Sequence, residues 1–457
     1  MSLIKSISGI RGTIGGKYND NLTALDIVEC TAAYGQLLKE KYKKPHVIIG
    51  RDGRISGKMV SSLVSNTLIS MGCDVTDLGL STTPTVEMAV IGMDAQAGVI
   101  VTASHNPRHW NALKFLNQKG EFISADTGQT ILNYISESNL DFADVDNLGV
   151  YNKSNYFKEH IEAILAHDFV LAENIKNSNF HVVVDCINST GALSIPPLLD
   201  KLGVKYTLIN EEVNGDFAHN PEPKIEHLQE LSKAVTHHNA DMGIAVDPDV
   251  DRLAFMSSDG SMFGEEYTLV AIADYILEKK KGAVVNNLSS TQALHDIAKK
   301  HGVASYSSAV GEVNVVNLMK EKGAVIGGEG NGGIIDPKLH YGRDALIGIA
   351  LMLSYLAESG KSLLEIRSEL PAYEMIKDKI DLTKGTNVDE ILKEISLSFK
   401  DEEVNTVDGV KIIYPGEWVH LRKSNTEPII RVYAESKNQE SAQKLAATIK
   451  KRIEELM

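Results

Sequence analysis

The chain has 457 residues, of which 43% are hydrophobic and 23% are charged, an ordinary balance for a globular protein. At about 100–200 residues for each domain, this length predicts two to four domains. The formal net charge of −15 argues against a nucleic acid or an anionic membrane as partner, because both would repel the protein. A small phosphorylated substrate is compatible with this charge, since it needs only a local cluster of Arg and Lys.

Cysteine usage and the N-terminal sequence both indicate the compartment. The three cysteines lie far apart and form no C-x-x-C pair, which favours a reducing environment with neither disulfides nor a cysteine metal site. The N-terminal residues lack the apolar core of a secretory signal. The longest apolar stretch, near residues 347–357, is shorter than the ~20 residues of a membrane span. We therefore expect a soluble, cytoplasmic protein with no membrane partner.

A strand–loop–helix–glycine–strand pattern occurs three times, beginning at His46, His181 and Gly282. Strands that alternate with helices are typical of α/β domains, and three repeats predict three related α/β domains with mixed, mainly parallel sheets. One large doubly wound domain is the alternative, but length and repeat together favour three. The C-terminal region, with two strands and an amphipathic helix over 439–456, predicts a small α+β domain. The predicted domains are 1–150, 151–255, 256–370 and 371–457.

The most informative segment is Thr-Ala-Ser-His-Asn-Pro at residues 102–107. The apolar run 97–101 ahead of it predicts a buried strand, and Pro107 prevents an immediate helix. A hydroxyl such as that of Ser104, at the carboxyl end of a strand, is well placed as a nucleophile or a covalent phosphate carrier. A serine hydrolase fits poorly, because the chain has no G-x-S-x-G and adjacent side chains in extended chain point apart. His105 is instead expected to orient the loop or to contact phosphate.

A cluster of aspartates follows the apolar strand at 242–246 and comprises Asp247, Asp249 and Asp251. Carboxylates at i, i+2 and i+4 of an extended chain face one way, so three oxygens can converge on a hard cation such as Mg²⁺. An EF-hand calcium loop does not fit, because its glycine position is Arg252 here. A solvated acidic turn is the alternative, but the buried strand ahead favours a metal site suited to phosphoryl transfer.

Two polar loops lie in the C-terminal half. Gly-Glu-Gly-Asn-Gly-Gly at 328–333 does not open into a helix as a dinucleotide loop would, and the chain has no P-loop. We interpret it as a flexible loop in which Glu329 and Asn331 bind sugar hydroxyls, a glycine turn without ligand being the alternative. The loop 422–428 offers a guanidinium, hydroxyls and an amide, which predict an oxyanion site, with a plain hairpin as the alternative. Its candidate residues are Arg422, Ser424, Asn425 and Thr426.

Two cations of the N-terminal part are further candidates. Arg11 lies in a glycine-flexible loop, and Lys114 follows Ser104 closely enough to bring an ammonium to the reacting oxygen. Spacing alone leaves Lys114 equally compatible with an ordinary surface lysine.

Four segments, in this order, resemble the signature motifs of the α-D-phosphohexomutase superfamily over essentially the whole chain. They are the phosphoserine loop 102–107, the metal loop 247–252, the sugar loop 328–333 and the phosphate loop 422–428. The resemblance implies four domains around a central cleft, a phosphoryl group carried by Ser104, and Mg²⁺ held with it by the three aspartates. It also implies a hexose phosphate as substrate and a hexose 1,6-bisphosphate as intermediate and activator.

The resemblance implies roles for the remaining residues as well. Arg11 and Arg252 would steady the phosphate on Ser104, and Lys114 would assist proton transfer. The phosphate loop would hold the sugar phosphate, and we include Arg431, in the strand that follows, in the substrate-binding set. A monomer or a homodimer is expected.

The chain departs from the family motifs at several positions. Pro248 and Val250 replace glycines of the metal loop, which predicts a stiffer loop with its carboxylates intact. Asn331 replaces a serine and Gly333 a histidine in the sugar loop, so one candidate acid or base is absent. The phosphate loop resembles that of phosphoglucosamine mutases most, which makes glucosamine phosphate the first expectation. Phosphomannomutase/phosphoglucomutase activity is the alternative, and a sugar phosphatase or a non-catalytic sugar-phosphate sensor is less favoured.

Overall fold

The structure is a computed structural model that describes residues 2–6, 9–137, 140–382, 387–423 and 429–455. Three predicted phosphate-loop residues, Ser424, Asn425 and Thr426, lie outside the described residues. The chain divides into two compact units. The first comprises Met1–Thr268 and Gly332–Leu364, and the second comprises Leu269–Asn331 and Glu365–Met457.

The first unit opens with a sheet of seven strands. They are β1 (Ile4–Ser6), β2 (Gly9–Thr13), β3 (His46–Arg51), β4 (Asp74–Leu80), β5 (Ala97–Val101), β6 (Trp110–Leu116) and β7 (Tyr151–Lys153). The helices of this segment are α1 (Ala24–Lys41), α2 (Gly57–Ser70), α3 (Thr83–Gly92) and α4 (Ala125–Glu137), with a 3-10 turn at Val145–Asn147. The sheet order is β1-β2-β6-β5-β3-β4-β7. Strands β7, β4, β3 and β5 run parallel, whereas the pairs β5–β6, β6–β2 and β2–β1 are antiparallel.

Strand β5 explains how this sheet is covered on both faces. All five of its residues are buried, as expected for a continuous apolar run. Because side chains alternate along a strand, Val99 and Val101 pack in a core with α1 and α2, and Ile100 packs in a second core with α3. The strand is therefore fixed from both sides, and so is the point at which its carboxyl end enters the 102–107 segment.

A second sheet in the same unit carries the aspartate cluster. Its segment contains α5 (Phe157–Leu165), α6 (Ala172–Ser178), β8 (His181–Asp185), α7 (Gly191–Leu202), β9 (Lys205–Ile209), α8 (Gln229–His237), β10 (Met242–Val246) and β11 (Leu253–Ser257). The order is β11-β10-β8-β9, with β10, β8 and β9 parallel and β11 antiparallel to β10. Residues 247–252 form the connection from β10 to β11, which places the three aspartates at the carboxyl end of a buried strand.

The third α/β segment begins with α9 (Glu265–Lys279) and continues into the second unit. Its next elements are β12 (Val284–Asn287), α10 (Ala293–Lys300), β13 (Ser305–Ser308), α11 (Glu312–Lys322) and β14 (Ile326–Glu329). Strand β12 pairs in parallel with both β13 and β14. Strand β15 (Gly333–Ile335) and helix α12 (Ala345–Ser359) belong to the first unit, and α13 (Leu363–Glu369) follows.

Helix α12 contains the longest apolar stretch of the sequence and is buried from Ala345 to Leu356. Among the described residues, no single helix combines the length and the hydropathy of a membrane span, and α12 with α13 meets that test only when the two are counted together.

The C-terminal segment is an antiparallel sheet with two helices. It contains β16 (Glu374–Asp381), α14 (Val388–Ser398), β17 (Glu403–Asn405), β18 (Val410–Tyr414), β19 (Glu417–Lys423), β20 (Ile429–Ser436) and α15 (Gln439–Glu454). The order is β16-β20-β19-β18-β17. The predicted α+β character is confirmed, but the prediction of two strands and one helix covered only β19, β20 and α15. Helix α15 packs Ala446, Ile449 and Ile453 into the core of this sheet.

Candidate active site

Ser104 lies in the turn after β5 and points at the aspartate cluster. Its Oγ donates a hydrogen bond to Asp247 Oδ2 at 2.6 Å, and its backbone N–H donates to Thr102 Oγ1 at 2.9 Å. Its φ is +48°, in the left-handed region that a residue with a side chain rarely adopts unless its surroundings impose it. Only 7% of the residue is exposed. The structure thus joins the predicted nucleophile to the predicted metal site.

His105 is closer to Ser104 than the extended-chain argument assumed. Its Nδ1 lies 3.4 Å from Ser104 Oγ, because the left-handed turn at Ser104 is not extended chain. Burial and the nearby charges of Arg252 and Arg11 hold the pKa of His105 well below its usual value. A neutral imidazole beside the hydroxyl agrees with the prediction that His105 orients this loop or contacts phosphate.

Arg54 holds the Ser104 turn in place, and the sequence analysis did not single it out. It is 1% exposed, and its Nε donates to Asp52 Oδ2 at 3.0 Å. Asp52 also accepts a hydrogen bond from Thr102 Oγ1 at 2.6 Å. The guanidinium donates to the backbone carbonyls of Ser104, Asn106, Pro107 and Trp110. Asp52 and Arg54 follow β3, the parallel neighbour of β5, so the rule that carboxyl ends of strands form the site could have found them.

The three aspartates form a compact, buried group. Their candidate ligand oxygens all lie within 4.8 Å of one another. Two of these oxygens, Oδ1 of Asp249 and Oδ1 of Asp251, are buried and have no hydrogen-bond partner. An unsatisfied buried carboxylate oxygen is costly, and a hard divalent cation is the ligand that such oxygens suit. The donor set therefore fits a metal ion such as Mg²⁺.

The remaining oxygens of the aspartates are anchored by the protein. Asp247 Oδ1 accepts the backbone N–H groups of Asp251 and Arg252, both at 3.1 Å. Asp249 Oδ2 accepts Thr83 Oγ1 at 2.6 Å and Lys114 Nζ at 2.9 Å. Each carboxylate is thus oriented through one oxygen, which leaves the other for a cation or for Ser104.

Arg343 anchors the third aspartate and was also absent from the predicted set. Its Nη2 donates to Asp251 Oδ2 at 2.6 Å. The residue is 7% exposed and lies just before α12, in a segment that carried no motif in the sequence analysis. The sequence does not reveal this role, because residues 343 and 251 come into contact only in the folded chain.

The pKa values of the aspartates diverge because their neighbours differ. Burial, followed by the charges of Asp251 and Asp249, raises the pKa of Asp247 well above its usual value. Burial acts in the same direction on Asp249, but the ammonium of Lys114 outweighs it and holds the pKa of Asp249 below its usual value. Burial alone would lower the pKa of Lys114, but Asp249 and Asp251 outweigh it and raise that pKa. Lys114 is therefore an ammonium at neutral pH.

The two predicted arginines of this unit lie beside the Ser104 loop and the metal loop. Arg252 Nε is 4.0 Å from both Asp247 Oδ2 and Asp251 Oδ1, and its Nη1 donates to Glu222 Oε1 at 3.4 Å. Arg11 Nη1 donates to Asn106 Oδ1 in the Ser104 loop at 3.3 Å.

The metal loop is strained where the family motif has glycine. Val250 has a φ of +60° and is completely buried, an unusual conformation for a β-branched residue. The carbonyl of Pro248 accepts hydroxyl hydrogen bonds from Ser189 at 2.6 Å and Thr190 at 2.8 Å. The carbonyl of Val250 accepts the backbone N–H of Ala345 at 3.2 Å. These contacts support the prediction of a stiffer loop.

The sugar-loop residues lie in the second unit, at the end of β14. Glu329 is buried, and its Oε1 accepts Asn287 Nδ2 at 2.9 Å and the N–H of Gly311 at 3.2 Å. Its Oε2 lies 3.5 Å from Asn331 Nδ2, which donates to it. The backbone N–H of Gly330 donates to Ser290 Oγ at 2.9 Å. This loop is therefore more firmly anchored than the expectation of a flexible loop suggested.

Arg422 and Arg431 are direct cross-strand partners on β19 and β20. Like charges placed opposite each other on one face of a sheet are unfavourable unless an anion lies nearby. Asp408 supplies one, since its Oδ2 lies 3.1 Å from Arg422 Nε and accepts the N–H of Val310 at 2.9 Å. His420 Nε2 donates to the carbonyl of Asp408 at 2.6 Å, and burial lowers the pKa of His420 to about 4.

Three α/β segments, a C-terminal α+β segment and a strand-end serine beside three buried aspartates together define the phosphohexomutase class of fold. Models of the phosphoglucomutase/phosphomannomutase family match four consecutive parts of the chain: alpha/beta/alpha domain I at residues 3–141, domain II at 158–260, domain III at 264–373 and the C-terminal domain at 377–452. The predicted boundaries near 150, 255 and 370 stay predictions.

Whole-chain relatives give the same family. A phosphoglucomutase/phosphomannomutase of Thermococcus kodakarensis is 35% identical over 98% of both chains. A phosphoglucosamine/phosphogalactosamine mutase of Sulfurisphaera tokodaii is 32% identical over 99% of this chain and 100% of that one. A solved structure of a putative phosphomannomutase from Thermus thermophilus, 25% identical, superposes with a TM-score of 0.84 over 99% of this chain and 100% of that one. The chain belongs to the phosphoglucomutase/phosphomannomutase family.

Replacing Arg54 by Met should lower the free energy of unfolding by ~3–5 kcal/mol, because it leaves Asp52 as an uncompensated buried carboxylate. Thermal or urea unfolding measures the loss. Arg51→Met is the matched control, since Arg51 is a half-buried neighbour on β3 and should cost far less. Equal, small losses in both variants would contradict the assigned role of Arg54.

Proposed function

We propose that this protein is a phosphohexomutase that moves a phosphoryl group between the 6- and 1-positions of a hexose, with Ser104 as the covalent carrier. The observation that carries the proposal is the 2.6 Å contact of Ser104 Oγ with Asp247 in a buried group of three aspartates. A group of buried carboxylates that fits a divalent cation, beside a strand-end hydroxyl, is suited to phosphoryl transfer.

Asp247, Asp249 and Asp251 would hold Mg²⁺ together with the phosphate on Ser104. When bound, the cation would neutralise negative charge on the phosphoryl oxygens. Two cations of the protein act on the same oxygens: Arg252, beside the aspartates, and Arg11, beside the Ser104 loop. Their guanidinium groups suit the planar, charge-assisted binding of phosphate.

The reaction has two half-reactions that balance. In the first, a sugar hydroxyl of the hexose monophosphate attacks the phosphorus on Ser104, the Oγ–P bond breaks, and a hexose 1,6-bisphosphate forms. In the second, Ser104 Oγ attacks the other phosphate of the bisphosphate, which leaves the isomeric monophosphate and restores phosphoserine. Lys114 enters as an ammonium because its pKa is raised, so it can donate a proton to the departing Oγ and regain one from the attacking sugar hydroxyl. In the second half-reaction the proton moves the opposite way, from Ser104 Oγ to the departing sugar oxygen.

The sugar loop and the phosphate loop are the proposed binding segments for the hexose phosphate. Glu329 and Asn331 would contact ring hydroxyls, and Arg422 and Arg431 would bind the non-reacting phosphate together with Ser424, Asn425 and Thr426. The cross-strand arginine pair supports this assignment, because two neighbouring guanidinium groups suit the charge-assisted binding of a phosphate.

Glucosamine 6-phosphate is the proposed substrate, with glucosamine 1-phosphate as the product. Relatives bear the names of both phosphoglucosamine mutases and phosphoglucomutase/phosphomannomutases, so the second substrate class stays the alternative. A sugar phosphatase is less favoured, because Ser104 is shielded from bulk water. A non-catalytic sensor would need neither the nucleophile nor the three aspartates.

Replacing Ser104 by Ala should abolish isomerisation without unfolding the protein, because the phosphate carrier is removed. Intact-mass analysis of the wild type should show a fraction heavier by one phosphoryl group, and the variant should lack it. Ser62→Ala, at an exposed position of α2, should keep both the extra mass and the activity. Near-normal turnover by Ser104→Ala would rule out this mechanism, and stoichiometric release of inorganic phosphate by the wild type would favour the phosphatase.

Replacing Arg422 by Gln should raise KM by about one to two orders of magnitude, since a lost charge-assisted hydrogen bond costs ~1.5–3 kcal/mol. The value of kcat should fall too, because binding of the remote phosphate also positions the reacting end. Steady-state kinetics with hexose phosphates measure both. The control is Arg452→Gln on the exposed face of α15. Wild-type kinetics in both variants would show that the 422–428 loop is a plain hairpin that does not bind phosphate.

Glucosamine 6-phosphate should have the highest kcat/KM, with measurable activity on glucose or mannose phosphate. Strong discrimination needs buried polar groups that the wrong sugar leaves unpaired, and we identify no dedicated partner for the 2-position in the sugar loop. The three substrates are compared side by side with a hexose bisphosphate supplied. A lower kcat/KM for glucosamine 6-phosphate than for either competitor would overturn the sugar assignment and leave the mutase assignment intact.

A further inference from the structure

A second buried cluster of the first unit lies behind the metal loop and has no role in the proposed reaction so far. It consists of His160 on α5, His340 and Asp344, the residue that precedes α12, and all three are buried. His160 Nε2 lies 2.8 Å from Asp344 Oδ2, and His160 Nδ1 lies 2.9 Å from Thr85 Oγ1. His160 thus connects α3 with the start of α12 through its two ring nitrogens.

Most polar atoms of the cluster have hydrogen-bond partners, and the exception, His340 Nδ1, lies 3.4 Å from Glu87 Oε2. The candidate ligand atoms of the cluster lie within 4.8 Å of one another, as a metal site would require. Both ring nitrogens of His160 have partners, however, and Asp344 Oδ1 caps α12 by accepting the N–H groups of Leu346 at 2.8 Å and Ile347 at 3.4 Å. His160 satisfies both contacts when it donates from Nε2 to Asp344 and accepts the Thr85 hydroxyl at Nδ1. We therefore interpret the cluster as a hydrogen-bonded brace rather than a second metal site.

One end of this brace reaches Asp249. Thr85 lies in the first turn of α3, where its backbone N–H donates to the cap residue Thr82 at 3.1 Å. Thr83, in the same turn, donates from Oγ1 to Asp249 Oδ2 at 2.6 Å and from its backbone N–H to the Asp249 carbonyl at 2.9 Å. A shift of this turn would therefore move both contacts that Thr83 makes with Asp249.

The other end reaches Asp251 and Val250. Asp344 is flanked by Arg343, which donates to Asp251 Oδ2 at 2.6 Å, and by Ala345, whose N–H donates to the Val250 carbonyl at 3.2 Å. Both neighbours of Asp344 thus touch the metal loop. Because the loop is strained at Val250, contacts that hold it in this conformation matter more than they would for a relaxed loop.

We propose that His160 is a positioning residue of the metal loop: by joining Thr85 to Asp344 it fixes the two segments that orient Asp249 and Asp251. This proposal rests on the proposed function, which assigns Mg²⁺ to the three aspartates. Side chains that orient metal ligands from behind typically contribute 10–100-fold to metal affinity or activity. His160 acts on the two aspartates indirectly, through Thr83 on one side and Arg343 on the other.

The test measures metal affinity directly, with Mn²⁺ as the probe and electron paramagnetic resonance as the readout, so it does not depend on turnover. His160→Leu removes both hydrogen bonds at similar volume. Thr85→Val keeps the shape but removes the contact of Thr85 Oγ1 with His160, together with its 2.6 Å contact with Thr82 Oγ1. Thr85→Ser is the conservative variant, because it keeps the hydroxyl that Thr85→Val removes. His301→Leu is the matched control, because it deletes a partly buried histidine of the second unit whose Nε2 lies 2.6 Å from Asp274 on α9.

We expect the Mn²⁺ dissociation constant to rise about 10-fold or more in His160→Leu and several-fold in Thr85→Val. Thr85→Ser and His301→Leu should stay near the wild type, although His301→Leu should lower the melting temperature. Wild-type affinity in His160→Leu, or an equal loss in His301→Leu, would overturn the proposal. If His160→Leu does not fold, the Thr85→Val and Thr85→Ser pair decides. A wild type that binds no Mn²⁺ would overturn the proposed metal centre instead.

Discussion

The rest of the site is arranged around one electrostatic constraint, the burial of three carboxylates within 4.8 Å of one another. Carboxylates so close in a low-dielectric interior raise each other's pKa, and they remain charged only if cations and hydrogen bonds offset the repulsion. Lys114, Arg343 and Arg252 lie 2.9, 2.6 and 4.0 Å from carboxylate oxygens of Asp249, Asp251 and Asp247, and their positive charges offset part of that repulsion. A bound divalent cation would offset more of it.

Orientation of the aspartates follows from the same constraint. Each carboxylate is held from behind through one oxygen, so the other can face the cation without rotating when it binds. Such preorganisation is what gives an electrostatic site its effect on a rate, because little reorganisation is left for the reaction itself. Two non-glycine residues, Ser104 and Val250, have left-handed backbones at this site. Conformations of this kind cost of order 1–3 kcal/mol each and persist where surrounding contacts impose them.

The sequence was sufficient for those parts of the site that are local in the chain. Ser104 and the three aspartates follow continuous apolar strands, and the carboxyl ends of such strands form the site in α/β proteins. Arg343 and the brace at His160 were missed, because their partners lie far away in sequence and their own neighbours show no motif. Arg54 was missed although it follows β3, where the strand-end rule could have found it. In the C-terminal segment, β16 was missed because most of its residues are at least partly exposed, which weakens the apolar pattern that predicts a strand. His105 was misplaced relative to Ser104 because the left-handed turn is a tertiary effect.

The central claim is that Ser104 carries a phosphoryl group that shares one metal ion with the three aspartates. The most direct measurement is electron–nuclear double resonance on the phosphorylated protein loaded with Mn²⁺. The account predicts a phosphorus hyperfine coupling to the bound Mn²⁺ in the wild type and its loss in Ser104→Ala, while Mn²⁺ itself still binds. Mn²⁺ bound to the phosphorylated protein without any phosphorus coupling would contradict the account.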